Sequence, residues 1–407
     1  MSNLRQRTQG STAQPPSTRD KGHEPRLKHG ILMQILRFLL LATWFNGCCV
    51  IIVATQLVGA PLYFISKNYY YAYMAMTKQC FGILITTITQ WGAPTLVRVS
   101  GDESVKGQLS LTSDGRLRTM FPDRLVFMAN HLVYTDWAYL WWVTYTAGMH
   151  GHIYIILKES LKYIPLLGQG MLFYGFIFMA RKWERDQPRL QHRLEKLKSR
   201  HSGPLSGKNS LDPMWLLIFP EGTNLSANTR KVSDRYGEKV GIPPNRHLLL
   251  PRSTGLFFCL QQLKGTIDYV YDCTIGYEGP PKGVYPDRYF TLRSTYAQGR
   301  PPKSVNMYWR RFALSDIPLE NKEEFEQWLL ARWREKDDLL EEFYDTGRFP
   351  TSLASSINVE GGSEDQKQEA ANGYIETTIR LGHWTEIGQL FIVVTAVGML
   401  LRLVLCS

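Results

Sequence analysis

The sequence predicts an α/β fold for its central part, with apolar membrane helices before and after it, on three observations. Short apolar runs typical of strands alternate with helix-like segments between residues 99 and 316. The runs Ile31 to Ile65 and Ile387 to Cys406 are almost continuously apolar, and about 20 such residues can span a bilayer as a helix. Finally, the two motifs richest in reactive side chains each follow a strand-like run directly.

The N-terminal part is predicted to contain a tail and membrane helices. Residues 1–29 are polar and basic, as expected of a disordered tail, and they lack the pattern of a cleaved signal peptide. Residues 30–98 are predicted to be membrane-associated helices, in which Ile31 to Ile65 forms one span with an interfacial extension or a two-helix hairpin. A second run, Phe81 to Val97, is weaker, and the basic residues before the first run favour a cytosolic N terminus.

The central domain, residues 99–316, is predicted from apolar runs bounded by Gly, Pro or charged residues. Asp136 to Thr146 is predicted to be a helix dense in aromatic residues, and Ser202 to Asp212 a surface loop. The predicted strands are Leu125–Ala129, His152–Leu157, Phe173–Met179, Trp215–Phe219, Val270–Ile275, Tyr289–Ser294 and Val305–Phe312.

Three further segments complete the chain. Residues 317–350 are predicted to be a charged helical extension, because Asn321 to Phe343 carries an apolar face among charged residues. Residues 351–380 are rich in Ser, Gly, Glu and Gln and are predicted to be a flexible linker. Residues 381–407 are predicted to form a C-terminal transmembrane helix, whose Arg402 can extend to the interface.

Composition narrows the class of partner. The chain has 47 Lys and Arg against 36 Asp and Glu, a formal charge of +11, which favours an anionic partner. It shows no zinc-finger spacing and no RNA-binding aromatic motif, so we expect it to bind no nucleic acid. Lipids and phosphorylated small molecules are the anionic partners that we expect instead. Eleven Trp and 21 Tyr suit a membrane interface. The six cysteines include no CxxC pair, which favours reduced thiols in a cytosol-facing protein.

The first motif places His131 five residues before Asp136, after the predicted strand that ends at Ala129. Acyl transfer to an alcohol requires a base that removes the hydroxyl proton, and a histidine suits that task. A carboxylate that fixes the imidazole tautomer improves the base, as in serine-protease triads. Asn130 is predicted just outside the helix, near its positive end. The alternative is a histidine at a helix start with Asp136 as partner of the helix dipole.

The second motif, Phe219 to Thr223, follows a predicted buried strand and breaks at a proline and a glycine. Gly222 permits close backbone approach, and successive amides can bind a phosphate or an oxyanion. Glu221 and Thr223 add a carboxylate and a hydroxyl. The alternative is an ordinary strand-to-turn exit with an acidic cap.

Two cations lie between the motifs. Lys158 and Arg181 follow predicted strands, and either could hold an acceptor phosphate, with arginine offering a bidentate fork. The alternative is that both are solvated charges at strand ends. The chain has no GxSxG, HExxH, P-loop or GxGxxG motif. His150 and His152 have no matching ligand set nearby, so we expect them to be structural and predict no metal site.

Together these motifs resemble those of the lysophosphatidic acid acyltransferase (glycerophospholipid acyltransferase) family, and most closely its eukaryotic lysocardiolipin/lysophosphatidylinositol acyltransferase branch. The resemblance covers about Leu125 to Pro318, and Pro251–Gly255 and Tyr271–Ile275 are similar to that branch in particular. The matching motifs are Asn130, His131 and Asp136; Gly175, Ile177 and Arg181; Phe219–Thr223; and Leu249–Arg252.

The resemblance implies a single acyltransferase domain with a mixed sheet flanked by helices. It implies that His131 is the base and Asp136 its support. It also implies that the acceptor phosphate is bound by Arg181, Glu221, Gly222 and Thr223. Asn224 departs from the arginine that many lysophosphatidic-acid-using members have after this motif. Its loss of charge fits a phosphodiester acceptor such as lysophosphatidylinositol.

We therefore expect an O-acyltransferase that esterifies a lysophospholipid hydroxyl from acyl-CoA, in the endoplasmic reticulum membrane with its catalytic domain facing the cytosol. Acyl-CoA is a substrate in this reaction, and no cofactor, metal or covalent enzyme intermediate is expected. One alternative is a 1-acyl-sn-glycerol-3-phosphate acyltransferase that makes phosphatidic acid. Another is a catalytically silent lipid-binding membrane protein, against which the intact His131, Asp136 and Glu221 argue.

Overall fold

The computed structural model describes residues 29–202 and 209–405. The predicted disordered tail, apart from its last residue, and the middle of the predicted loop Ser202 to Asp212 therefore lie outside the described residues, as does Cys406. The remaining five cysteines are buried free thiols.

Within the described residues, helices precede and follow the central sheet in the chain and also flank it. They are α1 Ile31–Gly59, α2 Leu62–Ile65, α3 Lys67–Gly92, α4 Asp136–Thr146, α5 Leu167–Phe173, α6 Trp183–Leu197, α7 Ala227–Val240, α8 Ser253–Leu263, α9 Pro286–Tyr289, α10 Lys322–Thr346, α11 Glu364–Ala371 and α12 Ile392–Leu405. Short 3-10 segments lie at Glu103–Val105, Glu159–Tyr163, Leu314–Asp316 and Trp384–Leu390, with one π-helical turn at Arg293–Ala297.

The strands are β1 Leu96–Gly101, β2 Leu109–Leu111, β3 Leu117–Thr119, β4 Arg124–Ala129, β5 Ile153–Lys158, β6 Ile177–Met179, β7 Arg200–Ser202, β8 Asn209–Leu211, β9 Met214–Ile218, β10 Tyr269–Tyr277, β11 Ser304–Ala313, β12 Asn358–Val359 and β13 Ile375–Thr378. Eight of them form the main sheet, in the order β13-β1-β11-β10-β4-β9-β5-β6. The run from β10 to β6 is parallel, whereas β10 and β11 pair antiparallel. The sheet is thus mixed and flanked by helices, as predicted.

The middle of the sheet is buried on both faces, which explains why its strands are continuous apolar runs. Leu125 pairs with Trp215 and Phe127 with Leu217 across β4 and β9, and each of these side chains is at most 1% exposed. Because β4 and β9 are parallel neighbours, the two sequence motifs that follow them emerge at the same edge of the sheet. This edge carries the candidate site.

The N-terminal region is a helical hairpin docked on the domain. The stretch Ile31–Ile65 is long and apolar enough to cross a membrane, and a third of its most apolar window is buried. α1 is a single helix followed by short α2, so the stretch Ile31–Ile65 matches one span with an extension and not a two-helix hairpin; α1 packs instead on α3, which begins at Lys67. The predicted weaker membrane run Phe81 to Val97 is instead mostly buried in the protein, where α3 packs on α4, and from Leu96 it continues as β1.

Two predicted strands differ from the structure. Tyr289 to Ser294 is not a strand, because α9 and the π-helical turn occupy that stretch. Phe173 to Met179 is a strand only from Ile177, since α5 extends to Phe173 and Gly175 then adopts a left-handed φ of 73°. The turn at this glycine separates helix from strand, and an apolar run alone does not reveal it.

The predicted flexible linker, residues 351–380, is ordered structure. Its last part is β13, which adds antiparallel to β1 at the sheet edge, with Ile375 opposite Val99. Ser363 caps α11 through the amide of Gln366. The prediction of a linker was wrong because an edge strand and a short capped helix expose most of their residues, so their composition is polar. Only Ile375 and Thr377 of β13 are buried.

The predicted C-terminal transmembrane helix is broken. The 3-10 segment Trp384–Leu390 and α12 meet at an angle of 52°, and they are long enough for a span only when taken together. α12 has 14 residues, which at about 1.5 Å per residue is shorter than a hydrocarbon core of about 30 Å.

Candidate active site

The first motif is held by a buried asparagine. Asn130 follows β4 and is fully buried. Its side-chain amide donates to the Ile275 carbonyl at 3.0 Å and its Oδ1 accepts from the Ile275 amide at 2.8 Å. Asn130 therefore ties the loop after β4 to the neighbouring strand β10, where the sequence suggested only a place near the helix end. This contact fixes where the next residue, His131, leaves the sheet.

His131 and Asp136 form a close pair. His131 Nδ1 lies 2.8 Å from Asp136 Oδ2, which also accepts from the Val133 amide at 3.0 Å. Asp136 is the first residue of α4 and is fully buried, whereas the His131 side chain is 18% exposed. An ionised carboxylate only accepts hydrogen bonds, so the proton resides on Nδ1 and Nε2 is left with its lone pair. The predicted pairing is therefore present in the geometry a general base requires.

The imidazole is also held from one face. The ring of Phe219 stacks on the His131 ring at 4.4 Å between centroids. The Leu225 amide donates to the His131 carbonyl at 2.7 Å. Both contacts come from the loop after β9, so the second motif positions the residue of the first.

Glu221 belongs to the same loop, and its carboxyl is buried. It is 3% exposed, and its Oε1 accepts from the His131 amide at 3.3 Å. Its Oε2 has no hydrogen-bond partner among the described residues. Burial raises the pKa of the Glu221 carboxyl to about 8, against the opposing effect of the His131 amide. Glu221 is thus a protonated carboxyl at neutral pH, able to donate as well as accept.

Arg181 reaches the second motif from the opposite side. It takes a left-handed φ of 65°, and its Nη2 donates to the Gly222 carbonyl at 2.5 Å. The turn is held by buried Asp186, which accepts from the Ala180 amide at 2.8 Å and the Lys182 amide at 3.0 Å. Such non-glycine conformations persist only where surrounding contacts impose them, and they cluster at functional sites.

Arg252 lies next to Arg181. Burial and the charge of Arg252 lower the pKa of the Arg181 guanidinium. A Cβ on Gly222 would stand 3.8 Å from Arg252 Cδ, and the Arg252 amide donates to the Pro220 carbonyl at 2.8 Å. No side-chain partner of Arg252 occurs in the described part of the chain, and it directly precedes α8. Arg181 and Arg252 thus lie side by side near exposed Gly222, and Arg252 stands at the start of α8. This arrangement suits the binding of a phosphate group.

The structure thus brings together most of the predicted site residues. His131, Asp136, Arg181, Glu221 and Gly222 are joined through the contacts above, and Thr223 follows in the same loop. Lys158 ends β5 and is exposed; within residues 29–202 and 209–405 no hydrogen bond or ion pair links it to this cluster.

Several residues that shape the site were not predicted. Tyr277 donates its phenolic proton to Asp136 Oδ1, and Asp186 and Arg252 act as described above. No local sequence signal identifies Tyr277, because its partner Asp136 lies 141 residues away in the chain. Asp186 binds amides only six and four residues before it. Arg252 had a signal, since it ends the motif Leu249–Arg252 of the family resemblance.

His150 and His152 are partly buried. Burial lowers the pKa of His150 and of His152 to about 4, so both are neutral at physiological pH. Within the described ranges no three His, Cys, Asp or Glu side chains group as metal ligands.

Comparison with known families gives two adjoining matches. The model described as "Acyltransferase" matches residues 97–278, which include both motifs. The model described as "Acyltransferase C-terminus" matches residues 297–373. The second match includes α10 and residues 351–373 of the segment predicted to be a linker.

Three similar proteins are informative. The 2-acyl-1-lysophosphatidylinositol acyltransferase of Saccharomyces cerevisiae is 38% identical over 82% of this chain and 90% of its own. Lysocardiolipin acyltransferase 1 of Gallus gallus is 32% identical over 58% of each chain. The 1-acyl-sn-glycerol-3-phosphate acyltransferase delta of Pongo abelii is 25% identical over 78% of this chain and 76% of its own.

Proposed function

The chain belongs to the acyltransferase family and is an O-acyltransferase of the lysophospholipid type, and from that premise we propose that it transfers an acyl group from acyl-CoA to a free glycerol hydroxyl of an anionic lysophospholipid. The observation that carries the proposal is the His131–Asp136 pair at the sheet edge, with Nε2 of the histidine free to accept a proton. The proposed reaction uses acyl-CoA as a substrate and calls for no cofactor or metal.

In this mechanism His131 Nε2 takes the proton of the acceptor hydroxyl as its oxygen attacks the thioester carbonyl. The new C–O bond forms, the C–S bond breaks, and the imidazolium returns the proton to the leaving thiolate. Asp136 stabilises the imidazolium and keeps its orientation. No enzyme side chain forms a bond with the acyl group, so both substrates must be bound together. The attack gives a tetrahedral intermediate, whose collapse releases coenzyme A as the thiol.

The acceptor phosphate is proposed to bind at the second motif. Arg181 and Arg252 would supply the charge, and the exposed backbone at Gly222 and Thr223 would allow close approach. Neutral Glu221 would support the loop through the His131 amide without repelling the phosphate. Lys158, which stands at the end of β5 on the same side, is proposed as an outer cation that attracts the substrate.

We propose lysophosphatidylinositol or a related phosphodiester as the acceptor. Support comes from Asn224, which offers no charge to a phosphate monoester, and from the 38% identity to the yeast lysophosphatidylinositol enzyme. The alternative acceptor is 1-acyl-sn-glycerol 3-phosphate, the substrate in the name of the Pongo abelii relative.

The proposed location is the endoplasmic reticulum membrane, with the catalytic domain facing the cytosol. The support is a set of exposed apolar side chains on α1 and α12, two helices that pack together. Such a surface is expected to be covered by lipid. Its members include Ile31, Leu32, Leu36, Phe38, Leu40, Met399, Leu400 and Leu403.

The test uses membranes containing equal amounts of wild type, His131→Ala or His192→Ala, supplied with labelled acyl-CoA and a panel of lysophospholipids. His192 is an exposed residue of α6 and serves as the matched control. We expect one acceptor to be labelled by wild type and the control, and labelling to fall about 100-fold or more in His131→Ala. Equal labelling by all three would refute the proposed base, and preference for lysophosphatidate would select the alternative acceptor.

A further inference from the structure

The two oxygens of the Asp136 carboxylate have different partners. Oδ2 accepts from His131 Nδ1 and the Val133 amide, whereas Oδ1 accepts from the phenol of Tyr277 on β10. We propose that Tyr277 is a positioning residue of the reaction, acting on His131 through Asp136. The inference rests on the proposed function, since it presupposes that this pair is the base.

Tyr277 can only be the donor in this contact. Burial and the neighbouring Asp136 charge raise the pKa of the Tyr277 phenol well above its usual range. The phenol therefore keeps its proton at any pH at which the protein works, and an ionised carboxylate only accepts. A hydrogen bond to a charged group is also among the stronger ones.

The phenol is held where it is by the sheet. Tyr277 is the last residue of β10 and lies opposite Val305 of β11. Two residues earlier, the amide and the carbonyl of Ile275 both form hydrogen bonds with the side chain of Asn130. The strand that carries Tyr277 is therefore tied to the loop that carries His131, so the phenol and the imidazole are fixed in one frame.

Aromatic packing completes the support of the ring. Tyr277 packs against Phe290 at 5.7 Å and Tyr139 at 6.0 Å between ring centroids. With 1% exposure it cannot touch a substrate. An effect of Tyr277 on catalysis must therefore pass through Asp136.

Three donors on two oxygens fix the plane of the carboxylate. Without the phenol, Asp136 would keep only the donors on Oδ2 and could rotate about its side-chain bonds. The imidazole would then spend less time with Nε2 aimed at the acceptor hydroxyl. The expected loss is in kcat, because substrate binding does not involve this contact.

The test compares Tyr277→Phe with Tyr271→Phe in the full-length protein in membranes. Tyr271 lies on the same strand, is fully buried, and donates to Gln108 Oε1 at 2.6 Å instead. We expect Tyr277→Phe to lower kcat roughly 10- to 100-fold with a KM within about twofold of wild type, as fits one hydrogen bond to a charged group. Tyr271→Phe should keep wild-type kcat, while both variants lose similar thermal stability.

Two readouts separate positioning from a general structural role. A carboxylate without the phenol is more basic and favours the imidazolium, so the low-pH limb of kcat in Tyr277→Phe should move to higher pH. In an Asp136→Ala background, Tyr277→Phe should cause no further loss, because its route to His131 is already gone.

Wild-type kcat and pH profile in Tyr277→Phe would overturn the inference, and so would an additive loss in the Asp136→Ala background. A loss shared equally with Tyr271→Phe would show that packing alone is responsible. If His131→Ala remains fully active, it is the proposed function that fails, whereas an inactive His131→Ala beside a normal Tyr277→Phe rejects the role of Tyr277 alone.

Discussion

At the scale of single residues, the site combines one exposed reactive group with buried groups that hold it. His131 is the partly exposed member, and Asp136, Asn130 and Tyr277 are buried around it. Glu221 is a buried carboxyl whose pKa burial raises to about 8. Its burial favours the neutral carboxyl, which is an energetic cost whenever the group must ionise.

We predict that Glu221→Gln removes a pH dependence of stability. The folded-state pKa of Glu221 is about 8 against an ordinary value of 4.5. Its neutral form stabilises the fold at low pH, and this contribution is lost as pH rises from about 4.5 to about 8, because only the unfolded state releases the proton freely. At about 1.4 kcal/mol per pKa unit, the effect is at most about 5 kcal/mol.

The measurement is the difference in unfolding free energy between wild type and Glu221→Gln from pH 5 to pH 8. Wild type should lose stability relative to the variant as pH rises. A constant difference over this range would mean that Glu221 is ionised in the folded protein. Asp365→Asn, an exposed carboxyl of α11, is the control and should show no such trend.

At the scale of elements, the N-terminal hairpin is fastened to the domain by a charged residue within an apolar helix. Arg37 of α1 donates from Nη2 to the Gly92 carbonyl at 2.6 Å and from Nε to the Tyr296 carbonyl at 3.3 Å. Gly92 is the last residue of α3, so the guanidinium binds the negative end of that helix. In the sequence, Arg37 is simply a charged residue within the otherwise almost continuously apolar run Ile31 to Ile65.

We predict that Arg37→Leu loosens the hairpin although it makes α1 more apolar. Losing two hydrogen bonds from a charged donor should cost about 3–5 kcal/mol. Limited proteolysis in detergent should cut near the α1–α3 turn sooner than in wild type. Asn46→Leu is the control, since Asn46 bonds only within its own helix, to Ala42. Equal resistance of Arg37→Leu and wild type would contradict the role of Arg37 as a fastener.

At the scale of the whole molecule, a buried ion cluster joins helix α10 to the sheet. Lys336 and Asp272 are both fully buried, with their charged atoms 2.6 Å apart. Arg310 of β11 lies 2.7 Å from the other oxygen of Asp272, and Lys336 also donates to the Cys273 carbonyl at 2.6 Å. The helix predicted to be an extension is therefore part of the same structural unit as the catalytic strands.

We predict that Lys336→Met lowers the stability of α10 and of the sheet by the same amount, because the two unfold as one cooperative unit. Lys336→Met removes the donor from Asp272 Oδ1 and from the Cys273 carbonyl, while Arg310 still faces Asp272 Oδ2, so we expect a cost of about 1–3 kcal/mol. Chemical unfolding followed by helix and by tryptophan signals should shift in one coincident step. Two separate transitions would show instead that α10 folds independently.

The sequence by itself determined the α/β class, both motifs and the family, because apolar strand runs and short reactive strings are local patterns. Asn130, His131, Asp136 and Phe219–Thr223 could be located without coordinates. Sequence patterns gave wrong predictions where the structure of a segment depends on contacts with residues that are distant in the chain. β13 became ordered by pairing with β1, and the C-terminal run was broken by a bend.

Only the tertiary structure decided how the site is supported. Tyr277 meets Asp136 only because β10 lies beside β4, and Arg252 meets Arg181 only in the folded chain. The protonation of Glu221 likewise depends on burial from all sides. Short motifs of reactive residues can be recognised from the order of residues alone. Burial and side-chain contacts between elements depend instead on distances that exist only in the folded chain.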